Sequence, residues 1–247
     1  MLQSEIFPSQ IRASFGLPYL SMVLMGRQPV VTLDDAPARH QAVKMGAKSS
    51  TICILDAPSG PKGKGHKVIE NARYDSPVAA DGVLFQRPGS AAVLQTADCP
   101  ALVLYHAKTH KVVLAHAGRP GMTQGGECAT CSFTVLSAAM HRLLAGDSAA
   151  HVHAFILGSI CGRCFVHDEP GAEVFVTPFD RYGEIAFTDR KKGALDLPAV
   201  ITHELIHRGV PANHIHHDHL CTMEDQHLSS RRGGRYDTKN TVVVVRH

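Results

Sequence analysis

The stretch AAVLQTADCPALVLYHAKTHKVVLAHAG, residues 91–118, contains three short apolar runs separated by polar turns. The runs cover Ala91–Thr96, residues 101–105 and residues 111–116, and each has the length of a strand. Their separators are too short for the helical crossover that joins parallel strands. The pattern therefore predicts three neighbouring, largely antiparallel strands.

Helix signals lie on both sides of this stretch. Asp35 is a good N-cap for a helix over residues 35–45, and apolar residues recur at helical spacing over residues 127–144. Asp196 predicts the start of another helix that ends near His207. Further strands are predicted at residues 51–55, 152–157, 215–221 and 241–246. Because helices and strands do not alternate strictly, we expect an α+β fold of mixed sheets with flanking helices, in one domain over residues 1–247.

The composition excludes several classes of protein. A chain of 247 residues that is 44% hydrophobic can bury a core and is not disordered. The net charge of +3 does not favour nucleic acid or a membrane as a partner, and no apolar run reaches the roughly 20 residues that cross a bilayer. The first residues lack a secretory signal, and the odd number of cysteines indicates reduced thiols. We therefore expect a cytoplasmic protein, of an oligomeric state that the sequence leaves open.

The composition is unusual in its 17 histidines and 7 cysteines, two residue types that bind metals. Cys128 with Cys131, and Cys161 with Cys164, form two Cys-x2-Cys pairs of the kind found in structural zinc sites. The two pairs are further apart in the chain than in common zinc ribbons. Small buried cysteines are the alternative explanation.

Three further residues are prominent because of their position. His66 follows a glycine-rich loop, Cys99 lies between two predicted strands, and His116 ends a strand before a glycine turn. One thiolate and two imidazoles suit zinc, and three protein ligands leave a fourth position for water. Spacing alone leaves open that these histidines are ordinary buried residues.

Residues 80–118 resemble the YfiH-like laccase-domain family. Its hallmark Ala-Asp-Cys and His-Ala-Gly motifs are matched by Ala97-Asp98-Cys99 and His116-Ala117-Gly118. The segments LGSICGRCF, residues 157–165, and CTMEDQHLSSRRGG, residues 221–234, are similar to two further segments of the family. The family was first labelled multicopper polyphenol oxidase. The resemblance implies a zinc-dependent purine nucleoside phosphorylase that takes a purine nucleoside and phosphate, with adenosine deaminase and methylthioadenosine phosphorylase as additional activities.

The resemblance also implies roles for individual residues. The zinc ligands of the family fall on His66, Cys99 and His116, although His66 stands in Lys-Gly-His-Lys where the family has Gln-Val-His-Gly. Arg119 and Arg231 are the candidates for binding phosphate. Asp98 is expected either to orient a ligand or substrate or to cap a turn.

Two departures from the family concern the substrate. Arg119-Pro120-Gly121 stands where the family has Trp-Arg-Gly, and Ser229-Ser230-Arg231-Arg232 stands where it has Ser-Tyr-Arg-Arg. The metal core is therefore expected to be retained, while the residues facing the substrate differ.

Other functions stay open. A cysteine hydrolase or deamidase would use Cys99 as nucleophile with His116 or His66 as base, and the fold also resembles deamidating bacterial toxins that use Cys and His. A copper-dependent polyphenol oxidase would need paired His-x-His motifs, of which the sequence has His151-x-His153 and His214-x-His216. A non-catalytic zinc-binding paralogue is the third alternative.

A second metal could bind at the histidine-rich segment that contains His214, His216, His217 and His219. A surface strand rich in histidine is the simpler interpretation of this segment.

Overall fold

Two sheets of six strands pack face to face and carry helices on their outer faces. The computed structural model describes residues 11–29, 36–57, 67–70, 77–123, 134–235 and 238–247. Mixed sheets with flanking helices confirm the predicted α+β class. That residues 1–247 form a single domain stays a prediction.

The strands, in chain order, are β1 (Ile11–Leu17), β2 (Leu20–Pro29), β3 (Ile52–Asp56), β4 (Val68–Glu70), β5 (Val78–Ala79), β6 (Gly82–Phe85), β7 (Ala91–Thr96), β8 (Ala101–His106), β9 (Val112–His116), β10 (Val152–Leu157), β11 (Phe187–Asp189), β12 (Ala194–Leu195), β13 (Ile215–His217) and β14 (Thr238–Arg246). The α-helices are α1 (Ala36–Lys44), α2 (Arg119–Thr123), α3 (Val135–Leu144), α4 (Glu173–Val176) and α5 (Leu197–His207). The 3-10 segments are Ser49–Thr51, Ala149–His151, Thr177–Ala186, Arg190–Lys192 and Ala212–His214.

Both large sheets mix parallel and antiparallel neighbours. The first sheet has the order β1-β2-β14-β7-β3-β5, in which β14 and β7 are antiparallel while β7 and β3 are parallel. The second sheet has the order β13-β10-β8-β9-β6-β4. Strands β11 and β12 form a separate antiparallel pair.

The central strands are buried on both faces. In β8, Val103 and Tyr105 lie in the core between the two sheets, whereas Leu102 and Leu104 pack in the core that contains α3 and α5. Because successive side chains of a strand point to opposite faces, a strand between two apolar layers must be apolar throughout. Helix α1 covers the outer face of the first sheet through residues such as Ala42.

The prediction of three neighbouring strands is correct for two of them. Strands β8 and β9 form the expected antiparallel pair, with Ala101 opposite His116. Strand β7 belongs to the other sheet, where it pairs with β14 and β3. Residues 97–100 thus carry the chain from one sheet to the other. A short polar separator looks the same in sequence whether it makes a hairpin or crosses between stacked sheets, and this explains the error.

The helix predictions hold wherever the structure describes their residues. Asp196 caps α5, because its Oδ1 accepts a hydrogen bond from the N–H of Ala199 at 3.0 Å. Helix α3 begins after Thr134, whose hydroxyl accepts from the N–H of Ser137 at 3.1 Å. Residues 127–133, predicted as the first part of this helix, lie outside the described residues, as does Asp35 before α1.

Along the described part of the chain, we find no helix with the length and apolar character needed to span a bilayer.

Replacing Asp196 with alanine should lower the free energy of unfolding by about 1 kcal/mol, because the first turn of α5 loses its side-chain cap. Urea denaturation monitored by circular dichroism measures the change. Asp196→Asn keeps an acceptor oxygen and is expected to stay near wild-type stability. Equal losses in both variants would show that the cap contributes nothing.

Candidate active site

Cys99 and His116 meet at one end of the β8–β9 pair. Cys99 lies in the crossing segment just before β8, and His116 is the last residue of β9. Because these strands are antiparallel, the start of one lies beside the end of the other. A hydrogen bond from the N–H of Ala117 to the carbonyl of Pro100 at 2.9 Å holds the two ends together.

The two side chains converge above Gly118. A Cβ on Gly118 would lie 3.0 Å from the Cys99 sulfur and 3.0 Å from Nε2 of His116, so the two atoms are no more than twice that distance apart. A side chain at position 118 would therefore press on both atoms. Sulfur and imidazole nitrogen are zinc ligands, so this donor pair is of the kind that holds a metal ion.

The surroundings keep both groups neutral in the absence of a metal. Burial raises the pKa of the Cys99 thiol to about 11, and the Asp98 carboxylate adds to the rise, although Arg119 and Arg231 oppose it. Burial lowers the pKa of His116 to about 4; a nearby carboxylate opposes this effect, and nearby cations add to it. A neutral imidazole can ligate a metal directly, whereas the thiol must give up its proton on binding.

The pKa shifts of Cys99 and His116 also concern the alternative function as a cysteine hydrolase. A thiol nucleophile is activated when its pKa is depressed or when an adjacent base takes its proton. Here the pKa of Cys99 is raised and that of His116 is lowered, which is opposite to the shifts of a thiolate–imidazolium pair.

The third expected ligand, His66, lies outside the described residues. The next residue in the sequence, Lys67, is held near the site through Asp81. The N–H of Asp81 donates to the Lys67 carbonyl at 3.0 Å, and the Asp81 carbonyl accepts from the N–H of His116 at 2.7 Å. Lys67, which directly follows position 66, is therefore hydrogen-bonded to Asp81, and Asp81 is in turn hydrogen-bonded to His116.

Arg119 is held in a fixed position beside this pair. Its Nη1 donates to Nε2 of His167 at 2.8 Å, and its guanidinium carbon lies 3.9 Å from the centre of the Phe175 ring. The buried His167 ring lies within hydrogen-bond distance of the carbonyls of Phe165 and Gly193 through its Nδ1. Because Arg119 only donates, Nε2 accepts and Nδ1 carries the proton.

Neither His167 nor Phe175 was identified from the sequence. His167 stands in the loop VHDEP, and no local pattern connects it with Arg119. Burial lowers the pKa of His167, and the positive charges of Arg232 and Arg119 lower it further, so its ring is neutral at pH 7. A neutral His167 is the form that can accept the hydrogen bond of Arg119.

Asp98 organises the turn that carries the second candidate arginine. Its Oδ2 accepts from the backbone N–H groups of Arg231 and Arg232 at 2.9 and 3.1 Å, and its Oδ1 accepts from the hydroxyl of Thr222 at 2.8 Å. Asp98 has a φ of 72°, which is uncommon for residues other than glycine. Of the two predicted roles, these hydrogen bonds support the capping one.

Arginines lie near the sulfur, where their positive charges oppose the larger effect of the Asp98 carboxylate on the Cys99 pKa. Arg119 and Arg231 both act on the pKa of Cys99, while Arg232 acts on Arg119 and His167. Arg231 and Arg232 are exposed, whereas Arg119 is half-buried. Arg119 and Arg231 were predicted from the sequence, whereas Arg232 was not.

The histidine-rich segment has partners other than a metal. The ring of His214 stacks on that of His153 at 4.2 Å between centroids, and His216 stacks on Phe155 at 4.8 Å. Within the described ranges, these histidines do not bring three ligating atoms together, so they support neither a second metal site nor a multicopper cluster. The predicted strand over residues 215–221 ends at His217.

One Cys-x2-Cys pair lies in the described chain. Cys161 and Cys164 lie beside Cys221 and Glu224, and these four residues could hold a metal ion. The other pair, Cys128 and Cys131, falls outside the described residues.

Residues 48–246 match the family model described as multi-copper polyphenol oxidoreductase laccase. The chain belongs to this laccase family. The match includes the residues of the site described above, and it confirms the resemblance inferred from the Ala-Asp-Cys and His-Ala-Gly motifs.

Two relatives of this laccase-family chain are named purine nucleoside phosphorylases. ORF3 of Streptomyces griseus is 32% identical over 157 residues, which make up 62% of this chain and 58% of that protein. SCO2081 of Streptomyces coelicolor is 31% identical over 189 residues, which make up 73% of this chain and 65% of that protein. The matched region thus spans about 58% and 65% of the length of these relatives.

Solved structures support the fold of the laccase family for this chain. The structure of YfiH from Bacillus licheniformis superposes with a TM-score of 0.73 at 20% identity and covers 92% of each chain. YlmD from Geobacillus stearothermophilus gives a TM-score of 0.72 at 17% identity and covers 93% of each chain. At these identities the similarity is one of fold.

Proposed function

We propose that this chain is a zinc-dependent purine nucleoside phosphorylase, which uses phosphate to split a purine nucleoside into free base and ribose 1-phosphate. The observation that carries the proposal is the convergence of the Cys99 sulfur and the His116 imidazole above Gly118, beside a fixed arginine. The names of the two Streptomyces relatives support the same activity.

The proposed zinc ligands are His66, Cys99 and His116. Two of them converge in the structure, and the position of Lys67 beside Asp81 supports the third. Zinc held there supplies a Lewis acid next to the arginines. A thiolate ligand requires a reduced cysteine, which accords with the predicted cytoplasmic location.

Arg119 is the proposed phosphate-binding residue, with Arg231 as a second. The hydrogen bond to His167 and the stacking on Phe175 hold the Arg119 guanidinium in place before phosphate binds. Little side-chain entropy is therefore lost on binding. In the reaction a phosphate oxygen forms a bond to the anomeric carbon, and the bond from that carbon to the purine nitrogen breaks. The electron pair leaves with the base, which then takes up a proton. The arginines hold the anionic nucleophile against the sugar while positive charge develops there.

The test uses purified protein with inosine or adenosine, with and without phosphate. We expect base release that requires phosphate and is lost after chelation, and one zinc ion bound through Cys99. Release of ammonia from adenosine without phosphate would favour a deaminase instead. Activity that survives chelation but is lost on thiol alkylation would favour the cysteine hydrolase.

Replacing Arg119 with lysine should raise the KM for phosphate about 10- to 100-fold, with a smaller effect on the KM for the nucleoside. A lysine lacks the planar fork, so it cannot hold the bond to His167, the stack on Phe175 and a phosphate oxygen together. Loss of one charge-assisted hydrogen bond costs about 1.5–3 kcal/mol, which corresponds to this range. Steady-state kinetics at varied phosphate gives the values.

Arg142→Lys is the matched control, because Arg142 is a half-exposed arginine whose 3.9 Å contact with Glu70 lies outside the site. Its KM for phosphate is expected to stay within twofold of wild type. An unchanged KM for phosphate in Arg119→Lys would remove Arg119 from the proposal.

A further inference from the structure

A second group of metal-ligating side chains lies in the described chain, apart from Cys99 and His116. It consists of the sulfurs of Cys161, Cys164 and Cys221 and the carboxylate of Glu224, whose ligating atoms all lie within 4.8 Å of one another. Two separate segments contribute them, CGRC at residues 161–164 and CTME at residues 221–224. Each segment supplies two ligands three residues apart, which is a spacing that zinc sites use.

We propose that Cys161, Cys164, Cys221 and Glu224 bind one zinc ion at a structural site, separate from the catalytic one. Four protein ligands close the tetrahedron and leave no position for substrate. In such a site a sulfur and a carboxylate oxygen lie about 3.6 Å apart, given bonds of about 2.3 and 2.1 Å. The Oε1 of Glu224 lies 3.6 Å from the Cys164 sulfur and 3.9 Å from the Cys161 sulfur.

Backbone contacts hold the two cysteine-containing segments together. The N–H of Cys161 points at the Cys221 sulfur at 3.3 Å, and the N–H of Cys164 donates to the Cys161 carbonyl at 3.0 Å. A parallel bridge between Ser159 and Cys221 fixes the two segments side by side. The cysteines are thus brought together by the fold itself, and none of the three is in a disulfide.

Zinc binding at this group would release the protons of the three thiols. The resulting thiolates and the Glu224 carboxylate would carry more negative charge than one divalent ion neutralises, and Arg163 would offset part of the excess. Its guanidinium lies 3.2 Å from the Glu224 carboxylate in an exposed ion pair. The same Oε1 of Glu224 lies near the two sulfurs of the first segment.

The position of this group suggests what the ion does. The N–H of Ile160, next to Cys161, donates to the Asp98 carbonyl at 2.8 Å. The hydroxyl of Thr222, next to Cys221, donates to the Asp98 carboxylate at 2.8 Å. An ion that joins the two segments would therefore hold these two partners of Asp98 in place, and Asp98 accepts a hydrogen bond from the backbone of Arg231.

Metal analysis of four purified proteins tests the proposal, after each has been equilibrated with zinc and freed of excess by gel filtration. Wild type should hold two zinc ions per chain, and Cys99→Ala should hold one. Cys161→Ser/Cys164→Ser should also hold one, and the combination with Cys99→Ala should hold none. The zinc X-ray absorption of Cys99→Ala should show a sulfur shell at about 2.3 Å.

Glu224→Gln covers the possibility that the cysteine variants fail to fold, because Glu224 is exposed and its loss leaves the core intact. In the Cys99→Ala background it should speed the transfer of zinc to a chelator at least tenfold. Glu173→Gln, which removes another exposed acid, is the control and should leave that rate unchanged.

Three results would overturn the proposal. They are a Cys99→Ala protein without zinc, an unchanged zinc content in Cys161→Ser/Cys164→Ser, and a disulfide between two of Cys161, Cys164 and Cys221 found by mass spectrometry of a wild-type digest. The phosphorylase proposal fails separately, because it depends on phosphate-dependent base release and not on this second ion.

Discussion

Replacing Cys99 with alanine should abolish phosphorolysis and remove one zinc ion from each chain. The sulfur is one of two donor atoms that converge above Gly118, and alanine offers no ligand in its place. Loss of a group that only orients a metal ligand already costs 10- to 100-fold, so loss of the ligand should lower kcat/KM by at least about 100-fold. Initial rates with inosine and phosphate, together with metal analysis, measure both effects.

Cys53→Ala is the matched control for this variant. Cys53 is a buried cysteine of β3 in the core between the sheets, and burial raises the pKa of its thiol to about 11, as at Cys99. Its replacement should lower stability slightly and leave zinc content and activity unchanged. A Cys99→Ala protein with full zinc and full activity would show that the ligand assignment is wrong.

The second large effect is expected for Gly118→Ala, which adds a single methyl group. That carbon would lie 2.9 Å from Cε1 of His116 and 3.0 Å from both the Cys99 sulfur and Nε2 of His116. A Cβ is essentially never found at 2.9 Å from another side chain, and 3.0 Å is tighter than almost all real contacts, so the ring and the sulfur must shift away from the new methyl group. We expect at least a tenfold loss of zinc affinity and a comparable or larger loss of kcat/KM.

The fold should tolerate this change, because Gly118 does not have a positive φ. Gly16→Ala is the control: its new carbon would lie 3.9 Å from the Leu20 carbonyl, an ordinary contact. Zinc affinity is measured by competition with a chromogenic chelator, and thermal unfolding reports on the fold. Wild-type zinc affinity in Gly118→Ala would mean that the metal does not bind between Cys99 and His116.

Much of the fold could be predicted from the sequence, because burial leaves a local pattern. Continuous apolar runs predicted β8, β9 and β10, and the Asp196 cap predicted the start of α5. The position of β7 could not be predicted in this way. Residues 97–100 are as short and polar as a hairpin turn, and only the pairing of β7 with β14, far along the chain, assigns it to the other sheet.

The site was predictable to the same extent. Cys99 and His116 are prominent because each lies at the end of a strand, and the structure brings them together. The partners of Arg119 are not visible in sequence, since His167 and Phe175 reach it through tertiary packing of a loop and a short helix.

The four ligands of the second proposed site were missed for a related reason. From the sequence, Cys161 and Cys164 were paired with Cys128 and Cys131, which lie outside the described residues. The fold places Cys161 and Cys164 against Cys221 and Glu224, two residues that do not form such a motif. A carboxylate three residues after a cysteine is too common a pattern to indicate a metal site by itself.

The crossing of residues 97–100 has a mechanical consequence. The Cys99 sulfur belongs to a four-residue segment that begins at one sheet and ends at the other. Sliding of one sheet over the other would therefore displace this sulfur relative to the His116 imidazole. Substitutions in the interlayer core, far from any substrate, are therefore expected to disturb turnover before they unfold the molecule. We therefore expect the proposed zinc site, and any activity that depends on it, to be sensitive to how the two sheets are aligned.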